Sequence, residues 1–216
     1  MLLPDQRTAV LACCQQLLAT GLVRGTSGNV SVRERDSGTI AISPTGVGYS
    51  QLSAADIVVL DPSGRQLDGR LRPTSELALH LGLYQARPEL GAVVHTHSMF
   101  ATTFAVLGEA LPPVHYLIAR AGGEVPVAPY ARYGSPELAE SCVRTLAGGG
   151  AVLLANHGVV AVGTSLAQAM EIAEAVEFVA ELAWRARLAG SPRLLDEAQL
   201  AQARSALSSY GRQPDG

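Results

Sequence analysis

Apolar residues recur at helical spacing in several segments of the chain. In the first of these, Val10, Cys13 and Leu17 fall on one helix face, and Gly21 supplies a stop signal. A helix start signal stands at Ser135-Pro136, where a capping serine is followed by proline at the first helical position. The spacing predicts helices over residues 5–20, 76–87, 98–107, 135–147, 165–188 and 196–209.

Short apolar runs bounded by turn residues alternate with these helices and predict strands. The runs cover residues 30–33, 39–43, 57–60, 91–97, 151–155 and 159–162. Residues 36–38 separate the first two runs in the manner of a hairpin, whereas residues 111–133 look irregular. No linker or repeat divides the chain, so we expect residues 1–216 to form a single α/β domain. In it, helices flank a central, mostly antiparallel β-sheet.

Composition and charge exclude several functional classes. Apolar residues make up 48% of the 216 residues and charged residues 16%, which is enough for a core and excludes intrinsic disorder. The net charge of −3 argues against a nucleic-acid partner, because such a partner needs a basic face. No apolar run approaches ~20 residues without a charge, so we expect neither a transmembrane helix nor a membrane partner.

The start of the chain and its cysteines favour a cytoplasmic location. A proline, an aspartate and an arginine come early, with no basic start before an apolar run, which does not fit a secretory signal. The three cysteines, Cys13, Cys14 and Cys142, fit a reducing compartment. We expect them to be small buried hydrophobic residues.

The histidine pattern is the sharpest chemical signal in the sequence. His95-Thr96-His97 ends an apolar strand, and alternate residues of a strand share a face, so the two imidazoles project together. Two neutral imidazoles side by side are a ready pair of metal ligands. In the alternative interpretation, one ring packs in the core and the other is merely exposed. The pattern alone leaves these two interpretations about equal.

Further ionisable residues extend this pattern. Glu76 lies in the first turn of a predicted helix, where an acid also interacts favourably with the helix dipole. His157 lies between two apolar strands, at a sheet end where a site can open. His80 follows Glu76 by one helical turn, and we expect a core or helix-face role for it rather than metal binding. The role of His115, in a loop beside Tyr116, stays open.

Three loops of small polar residues form a second group, at 26–29, 43–46 and 73–75. Each exposes hydroxyl and backbone N–H groups, and the last one opens a helix, whose N-terminus is a natural anion site. Together they can hold a phosphate without a lysine or a P-loop, and no P-loop motif is present. From composition alone, three ordinary turns are the simpler interpretation.

These pieces, in this order, resemble the class II aldolase/adducin-like family. The motifs that carry the resemblance are G-T-S-G-N-V-S at 25–31, S-P-T-G at 43–46, R-P-T-S-E at 72–76, H-T-H at 95–97 and N-H-G at 156–158. The resemblance implies one zinc ion per subunit, with manganese as the alternative, held by Glu76, His95, His97 and His157. It also implies a phosphate pocket formed by Gly28, Asn29, Thr45, Gly46, Thr74 and Ser75.

The resemblance further implies an assembly of identical subunits. It implies a cyclic homotetramer with active sites at subunit interfaces, in which Tyr116 and Tyr210 are expected to reach a neighbour's site as catalytic residues. The C-terminal segment, from residue 191 to residue 216, is expected to be a mobile tail near the active site.

Within the family, the segments 114–123 and 128–135 and the late Tyr210-Gly211 are most similar to members that cleave L-fuculose 1-phosphate. This similarity implies reversible cleavage to dihydroxyacetone phosphate and L-lactaldehyde through a metal-stabilised enediolate. None of the motifs contains a lysine for a Schiff base, so a metal Lewis acid is the natural means of stabilising that charge. Glu76 would exchange the C3 proton, and Tyr116 would serve the aldehyde oxygen. Tyr133 is expected to shape the aldehyde pocket.

Other enzymes of the same fold are the alternatives. Pentulose-phosphate 4-epimerases typically have aspartate where Glu76 stands, whereas methylthioribulose-phosphate dehydratases and sugar-acid phosphate decarboxylases keep the glutamate and differ mainly in 111–133. An aldolase for another deoxy-sugar phosphate is the hardest to separate. A non-catalytic adducin-like assembly domain would lack the metal ligands. Three histidines with a displaceable carboxylate are more typical of an open catalytic site than of a structural zinc site.

Overall fold

One sheet of eight strands organises the computed structural model, which describes residues 1–210. The strands are β1 Asn29–Arg33, β2 Ile40–Ile42, β3 Val58–Leu60, β4 Gln66–Asp68, β5 Ala92–Thr96, β6 Val127–Ala128, β7 Ala151–Leu154 and β8 Gly158–Gly163. Their order is β4-β3-β2-β1-β5-β8-β7-β6. Every neighbouring pair is antiparallel except β6 with β7. The prediction of a central, mostly antiparallel sheet is confirmed.

The helices lie where the apolar spacing predicts them. They are α1 Pro4–Ala19, α2 Leu77–Ala86, α3 Met99–Leu107, α4 Pro136–Leu146, α5 Leu166–Ala189 and α6 Glu197–Ser209. The capping signal at Ser135 is confirmed, because its side chain accepts a hydrogen bond from the backbone N–H of Leu138. Within residues 1–210, no helix combines the length and the apolar character that crossing a bilayer requires.

The sheet is covered by helices on both faces, and each face has its own core. On one face α1, α3 and α5 pack together with Ala92 and Val94 of β5, while on the other α2 and α4 pack against Val93. The central strands are buried on both sides, so they read as continuous apolar runs rather than as alternating ones. The cysteines Cys13, Cys14 and Cys142 are buried and free, as predicted.

Two short strands and three 3-10 helices, Tyr49–Gln51, Ala54–Asp56 and Tyr116–Ala121, were not evident from the sequence. β4 pairs with β3 at the exposed edge, and its residues Gln66–Asp68 carry too little apolar character to predict a strand. Residues 111–133, predicted to be irregular, contain the 3-10 helix Tyr116–Ala121, β6 and an isolated bridge between Leu111 and Val125. This correction has a simple cause, because these pieces are short and prolines interrupt them.

The C-terminal segment contains α6, which packs through the buried Leu200. The backbone N–H of Leu195 donates to the carbonyl of Pro113 just before this helix, at 2.9 Å. Residues 211–216, including Gly211, lie outside the described residues. The expectation of a mobile tail therefore stays a prediction.

Candidate active site

Sheet topology and helix position bring three distant segments of the chain together. His95 of β5 pairs with Asn29 of β1 on one side and with Val160 of β8 on the other. The turn that precedes β8 carries His157, so the antiparallel pairing sets this turn beside the carboxyl end of β5. His95 shares a strand face with Val93, which is the face that α2 covers. Glu76, immediately before α2, thus meets the histidines.

The four predicted ligands form one cluster in the structure. Glu76, His95, His97 and His157 each offer one atom, and these atoms all lie within 4.8 Å of one another. The Nε2 atom of His95 lies 3.1 Å from Oε2 of Glu76 and 3.0 Å from Nε2 of His97. The Nε2 atom of His157 lies 3.4 Å from Oε1 of Glu76.

Two details of the local structure differ from the sequence-based expectation. The strand β5 ends at Thr96, so His97 stands one residue beyond it rather than on it. Glu76 is the residue before the first turn of α2, with φ −101° and ψ 24°, rather than a residue within that turn. The gathering of the imidazoles therefore depends on the bend after β5 and not on strand alternation alone.

The hydrogen bonds around the cluster leave ligand atoms facing inwards. The Nδ1–H of His95 donates to the carbonyl oxygen of Val159 at 2.9 Å, which leaves the lone pair of its Nε2 directed at the cluster. Among residues 1–210, the buried Oε1 of Glu76 and Nδ1 of His157 have no hydrogen-bond partner. An unpartnered carboxylate oxygen beside imidazole nitrogens is the donor set that a divalent transition-metal ion requires. The residues present therefore fit a metal.

The electrostatics of the cluster favour its metal-binding protonation states. Burial opposes ionisation of Glu76, but the charge and hydrogen bond of His95 outweigh it, so the pKa of Glu76 is lowered. Burial, together with the charge of His95, lowers the pKa of His97 and of His157 to about 4 each. At neutral pH, Glu76 is thus a carboxylate, and His97 and His157 are neutral with free lone pairs. Glu76 raises the pKa of His95 despite the burial of that ring, so a metal ion would displace a proton from His95 on binding.

The cluster opens into a cavity of about 290 Å³. Glu76, His97 and His157 line one side of it. All six residues of the predicted phosphate pocket border the same cavity: Gly28, Asn29, Thr45, Gly46, Thr74 and Ser75. The two groups of residues that the sequence suggested separately are thus parts of one site, and three independent turns would not produce this arrangement.

The structure explains one glycine of this pocket and gives Asn29 another partner. Gly28 has φ +78°, and a Cβ atom there would lie 2.6 Å from Cγ1 of Val23 and 2.8 Å from the carbonyl oxygen of His95. The amide Nδ2 of Asn29 donates to Oε2 of Glu76 at 2.9 Å, and its Oδ1 lies 2.5 Å from Nε2 of His80. The side chain of Asn29 is therefore engaged with Glu76 and His80.

The two predicted catalytic tyrosines lie elsewhere on the same chain. Tyr116 is half exposed and Tyr210 is 80% exposed, and together they line a second hollow beside α6. Neither borders the cavity that contains Glu76. His115 packs its ring against Tyr116 and Phe178, and its Nδ1 accepts a hydrogen bond from the backbone N–H of Leu117.

Sequence reasoning missed two features of the site. Tyr130 lines the cavity together with Tyr133, whereas the sequence analysis assigns only Tyr133 to the aldehyde pocket. The contact between Asn29 and His80 was also missed. His80 is buried and is not one of the four clustered ligands, in agreement with the core or helix-face role expected for it. Its spacing of four residues from Glu76 places His80 on the same helix face as that carboxylate, but this spacing does not indicate the contact with Asn29.

Comparison with known proteins agrees with this geometry. The sequence profile of the class II aldolase and adducin N-terminal domain matches residues 8–184. The chain belongs to this family. Class II aldolases depend on a metal, and the Glu76 cluster can hold one. The relatives identify the chain as an enzyme with aldolase activity.

Individual relatives cover most or all of the chain. It is 39% identical to 5-deoxy-D-ribulose 1-phosphate aldolase of Bacillus thuringiensis serovar kurstaki, over 99% of this chain and 100% of that protein. It is 40% identical to L-fuculose phosphate aldolase of Escherichia coli, over 76% of this chain and 75% of that one. A solved structure of L-fuculose 1-phosphate aldolase superposes with a TM-score of 0.91 at 38% identity, covering 94% of this chain and 96% of that one.

Proposed function

We propose that this chain is a zinc-dependent class II aldolase that cleaves a deoxyketose 1-phosphate reversibly to dihydroxyacetone phosphate and a short aldehyde. The observation that carries the proposal is the shared cavity, in which the Glu76 cluster faces the three hydroxyl-rich loops. Such a cavity matches a substrate with a phosphate at one end and a carbonyl beside a scissile bond at the other.

Two candidate substrates, both deoxyketose 1-phosphates, match the chemistry of this cavity. 5-Deoxyribulose 1-phosphate would yield acetaldehyde, and the relative named for it matches over the full length of both proteins. L-Fuculose 1-phosphate would yield L-lactaldehyde, and the segments 114–123 and 128–135 together with the superposed structure favour it. We place 5-deoxyribulose 1-phosphate first and L-fuculose 1-phosphate second. We assign Tyr130 and Tyr133, at the exposed side of the cavity, to the aldehyde end of either substrate.

The chain has no lysine side chain for a Schiff-base mechanism. All 16 of its lysine-or-arginine positions are arginine. Breaking the C3–C4 bond leaves the electron pair on an enediolate of dihydroxyacetone phosphate, whose negative charge needs stabilisation. A zinc ion held by Glu76, His95, His97 and His157 would supply that stabilisation as a Lewis acid.

Glu76 is the proposed proton carrier at C3. Its Oε2 is held by Asn29 at 2.9 Å, while the buried Oε1 has no hydrogen-bond partner within residues 1–210. In condensation, the carboxylate takes the C3 proton of dihydroxyacetone phosphate, and in cleavage it returns that proton. A carboxylate with one oxygen held and the other open is suited to this exchange.

The loops supply the phosphate site without a cationic side chain. Thr45, Thr74 and Ser75 offer hydroxyl groups at the cavity wall, and the last two stand just before Glu76, the residue that precedes α2. Backbone N–H groups at a helix N-terminus and in turns with positive φ, such as Gly46 at +71°, bind phosphate oxygens. Holding the phosphate there orients C3 of the substrate towards Glu76.

The separate position of the tyrosines supports the proposed cyclic homotetramer, with one zinc ion per subunit. Tyr116 and Tyr210 share an exposed hollow that does not adjoin the cavity of their own chain. We propose that they act at a neighbour's site, where the Tyr116 phenol removes the proton of the C4 hydroxyl during cleavage and returns it during condensation. Residues 1–216 are proposed to form one domain, with the tail that follows residue 191 near the site.

The test is a retro-aldol assay of purified protein with 5-deoxyribulose 1-phosphate, L-fuculose 1-phosphate and L-ribulose 5-phosphate, with and without a chelator. Release of dihydroxyacetone phosphate is followed by coupled reduction, and epimerisation by product analysis. We expect release from 5-deoxyribulose 1-phosphate that the chelator abolishes and zinc restores. Release from L-fuculose 1-phosphate alone would reverse the substrate order. No cleavage by folded, zinc-loaded protein would overturn the proposed function in favour of a related dehydratase or decarboxylase.

A further inference from the structure

A chain of buried hydrogen bonds runs from α2 and β1 to the carboxylate of Glu76. The hydroxyl of Tyr84 lies 2.8 Å from Oγ of Ser31, and Oγ of Ser31 lies 2.7 Å from Nδ1 of His80. The Nε2 of His80 lies 2.5 Å from Oδ1 of Asn29, whose Nδ2 lies 2.9 Å from Oε2 of Glu76. All five side chains are buried.

The residue spacing produces this chain directly. Asn29 and Ser31 alternate along β1 and therefore share a strand face. Glu76, His80 and Tyr84 follow one another at intervals of four residues, so they form one stripe along α2 and the residue before it. The stripe on α2 faces this side of β1. Their polar side chains hydrogen-bond to one another, and the residues around them form an apolar core.

The carboxylate fixes the direction of every bond in the chain. A carboxylate only accepts, so Asn29 must donate its Nδ2–H to Glu76 and accept at Oδ1. His80 therefore carries its proton on Nε2, and burial lowers the pKa of His80 to about 3, which keeps the ring neutral. Its Nδ1 then accepts from the hydroxyl of Ser31, which in turn accepts from Tyr84. All four bonds donate towards Glu76.

We propose that His80 is a positioning residue, which through Asn29 fixes the carboxylate of Glu76 with Oε2 held and Oε1 left without a hydrogen bond beside His157. This inference rests on the proposed role of Glu76 as the proton carrier. A neutral ring with a fixed tautomer is required for it, because the opposite tautomer would point a lone pair at Oδ1 of Asn29 and release the amide. The side chain of Asn29 thereby serves Glu76 with one of its two amide hydrogens.

The experiment isolates proton transfer from aldehyde recognition. NMR follows the exchange of the C3 proton of dihydroxyacetone phosphate in D₂O. The exchange rate reports on proton transfer by Glu76 and needs no aldehyde. His80→Phe keeps a planar ring but cannot form the hydrogen bonds. His80→Gln can donate from its amide nitrogen to Asn29 and accept from Ser31 at its amide oxygen. Leu79→Val, at a buried position of α2 outside the hydrogen-bond chain, is the control for loss of packing.

We expect His80→Phe to lower kcat for exchange by about 10–100-fold, which is typical for loss of a residue that supports a metal ligand. KM for dihydroxyacetone phosphate should not change, because the phosphate loops are untouched. His80→Gln should restore most of the rate, and Leu79→Val should lose only thermal stability. The visible spectrum of the Co²⁺-substituted protein gives an activity-independent readout. It should shift in His80→Phe and not in Leu79→Val.

Three results would overturn the inference while leaving the proposed function intact. These are a folded His80→Phe protein that exchanges as fast as Leu79→Val, a His80→Gln protein no faster than His80→Phe, or an unchanged Co²⁺ spectrum. Should His80→Phe fail to fold, Ser31→Ala carries the test, since it removes the donor to Nδ1 and should lower kcat without changing KM. An unchanged kcat would then overturn the inference. Failure of the native sequence to exchange at all would instead contradict the proposed role of Glu76.

Discussion

At the scale of single residues, Glu76 combines contacts that differ at its two oxygens. Oε2 accepts from Asn29 and lies 3.1 Å from His95, whereas Oε1 has no hydrogen bond within residues 1–210 and lies 3.4 Å from His157. Adjacent histidine charge keeps the pKa of this buried carboxyl low despite its burial. One side chain can thus be both a ligand and a base.

Glu76→Gln should remove the base while keeping the shape. Because general acid–base groups contribute about 10²–10⁴-fold, we expect kcat for release of dihydroxyacetone phosphate to fall within that range. The glutamine oxygen can still accept from Asn29, so the melting temperature should change little. Steady-state kinetics and a thermal melt check this together, and a kcat within threefold of the native value would contradict the role of Glu76.

His80 predicts a specific dependence of stability on pH. Its pKa is about 3 in the folded protein, against about 6.5 for an ordinary histidine in the unfolded chain. Between these values the unfolded chain binds a proton there that the folded protein does not, so the free energy of unfolding falls as pH falls. The loss is about 1.4 kcal/mol per pH unit within that window.

Chelator-treated native protein should therefore lose about 2 kcal/mol more than chelator-treated His80→Gln between pH 6.5 and pH 5. Urea unfolding at the two pH values measures the difference. His97 and His157 titrate in both proteins, so their contribution cancels. Equal losses in the two proteins would show that His80 does not titrate as a buried neutral ring.

The sequence was most informative for residues whose chemistry is rare. Glu76, His95, His97 and His157 stand in short motifs, and the structure brings all four together. The partnership of Asn29 with His80 could not be predicted in the same way, because it depends on β1 and α2 facing each other across a core. No local pattern of residues predicts that β1 and α2 face each other in this way.

At the scale of elements, the site depends on the close approach of β5 and β8. Gly158 begins β8, directly after His157, and a Cβ atom there would lie 3.0 Å from Cδ2 of His97 and 3.2 Å from Cε1 of His95. It would also overlap the carbonyl oxygen of Thr96. The glycine of the N-H-G motif is therefore explained by contact with two predicted ligands.

Gly158→Ala should displace the imidazoles and loosen the pairing of the two strands. We expect lower zinc affinity, measured by competition with a chromophoric chelator, and a loss of about 1–3 kcal/mol in the free energy of unfolding from overpacking. Gly148→Ala is the matched control, because a Cβ atom there meets nothing within 4 Å. Equal zinc affinity in the two variants would show that β8 tolerates the extra methyl group.

The predictability of each element follows its burial. The long helices were placed to within about two residues, as expected where one apolar stripe faces a core. β4 and β6 were missed because each is short and has a neighbour on only one side. An edge strand needs few apolar residues, so it leaves little pattern to read.

At the scale of the whole molecule, the chemistry divides between two surfaces. One cavity holds the carboxylate and the imidazoles, and a separate hollow holds Tyr116 and Tyr210. Within residues 1–210 of a single chain, no tyrosine other than Tyr130 and Tyr133 lines the cavity. The proposed homotetramer, with active sites completed by a neighbouring subunit, would account for this division.

Mixing inactive subunits tests that assembly. Glu76→Gln lacks the base and Tyr116→Phe lacks the phenol, so each homo-oligomer should be nearly inactive. Co-expression should restore about a quarter of native activity in a random mixture, because a fraction of the interfaces then pair an intact Glu76 with an intact Tyr116. Purification with two different tags isolates the hybrids, and hybrids as inactive as their parents would contradict a shared site.

The strand order has a consequence for how the protein resists aggregation. The most apolar strands, β5, β7 and β8, each contain a run of at least three alanine, valine or leucine residues, which would recruit other chains if they lay at an open sheet edge. The sheet encloses them. Its edges are instead β4, with three residues, and β6, with two and a proline on either side. The same arrangement that centres the catalytic strands leaves little edge on which a fibril could nucleate.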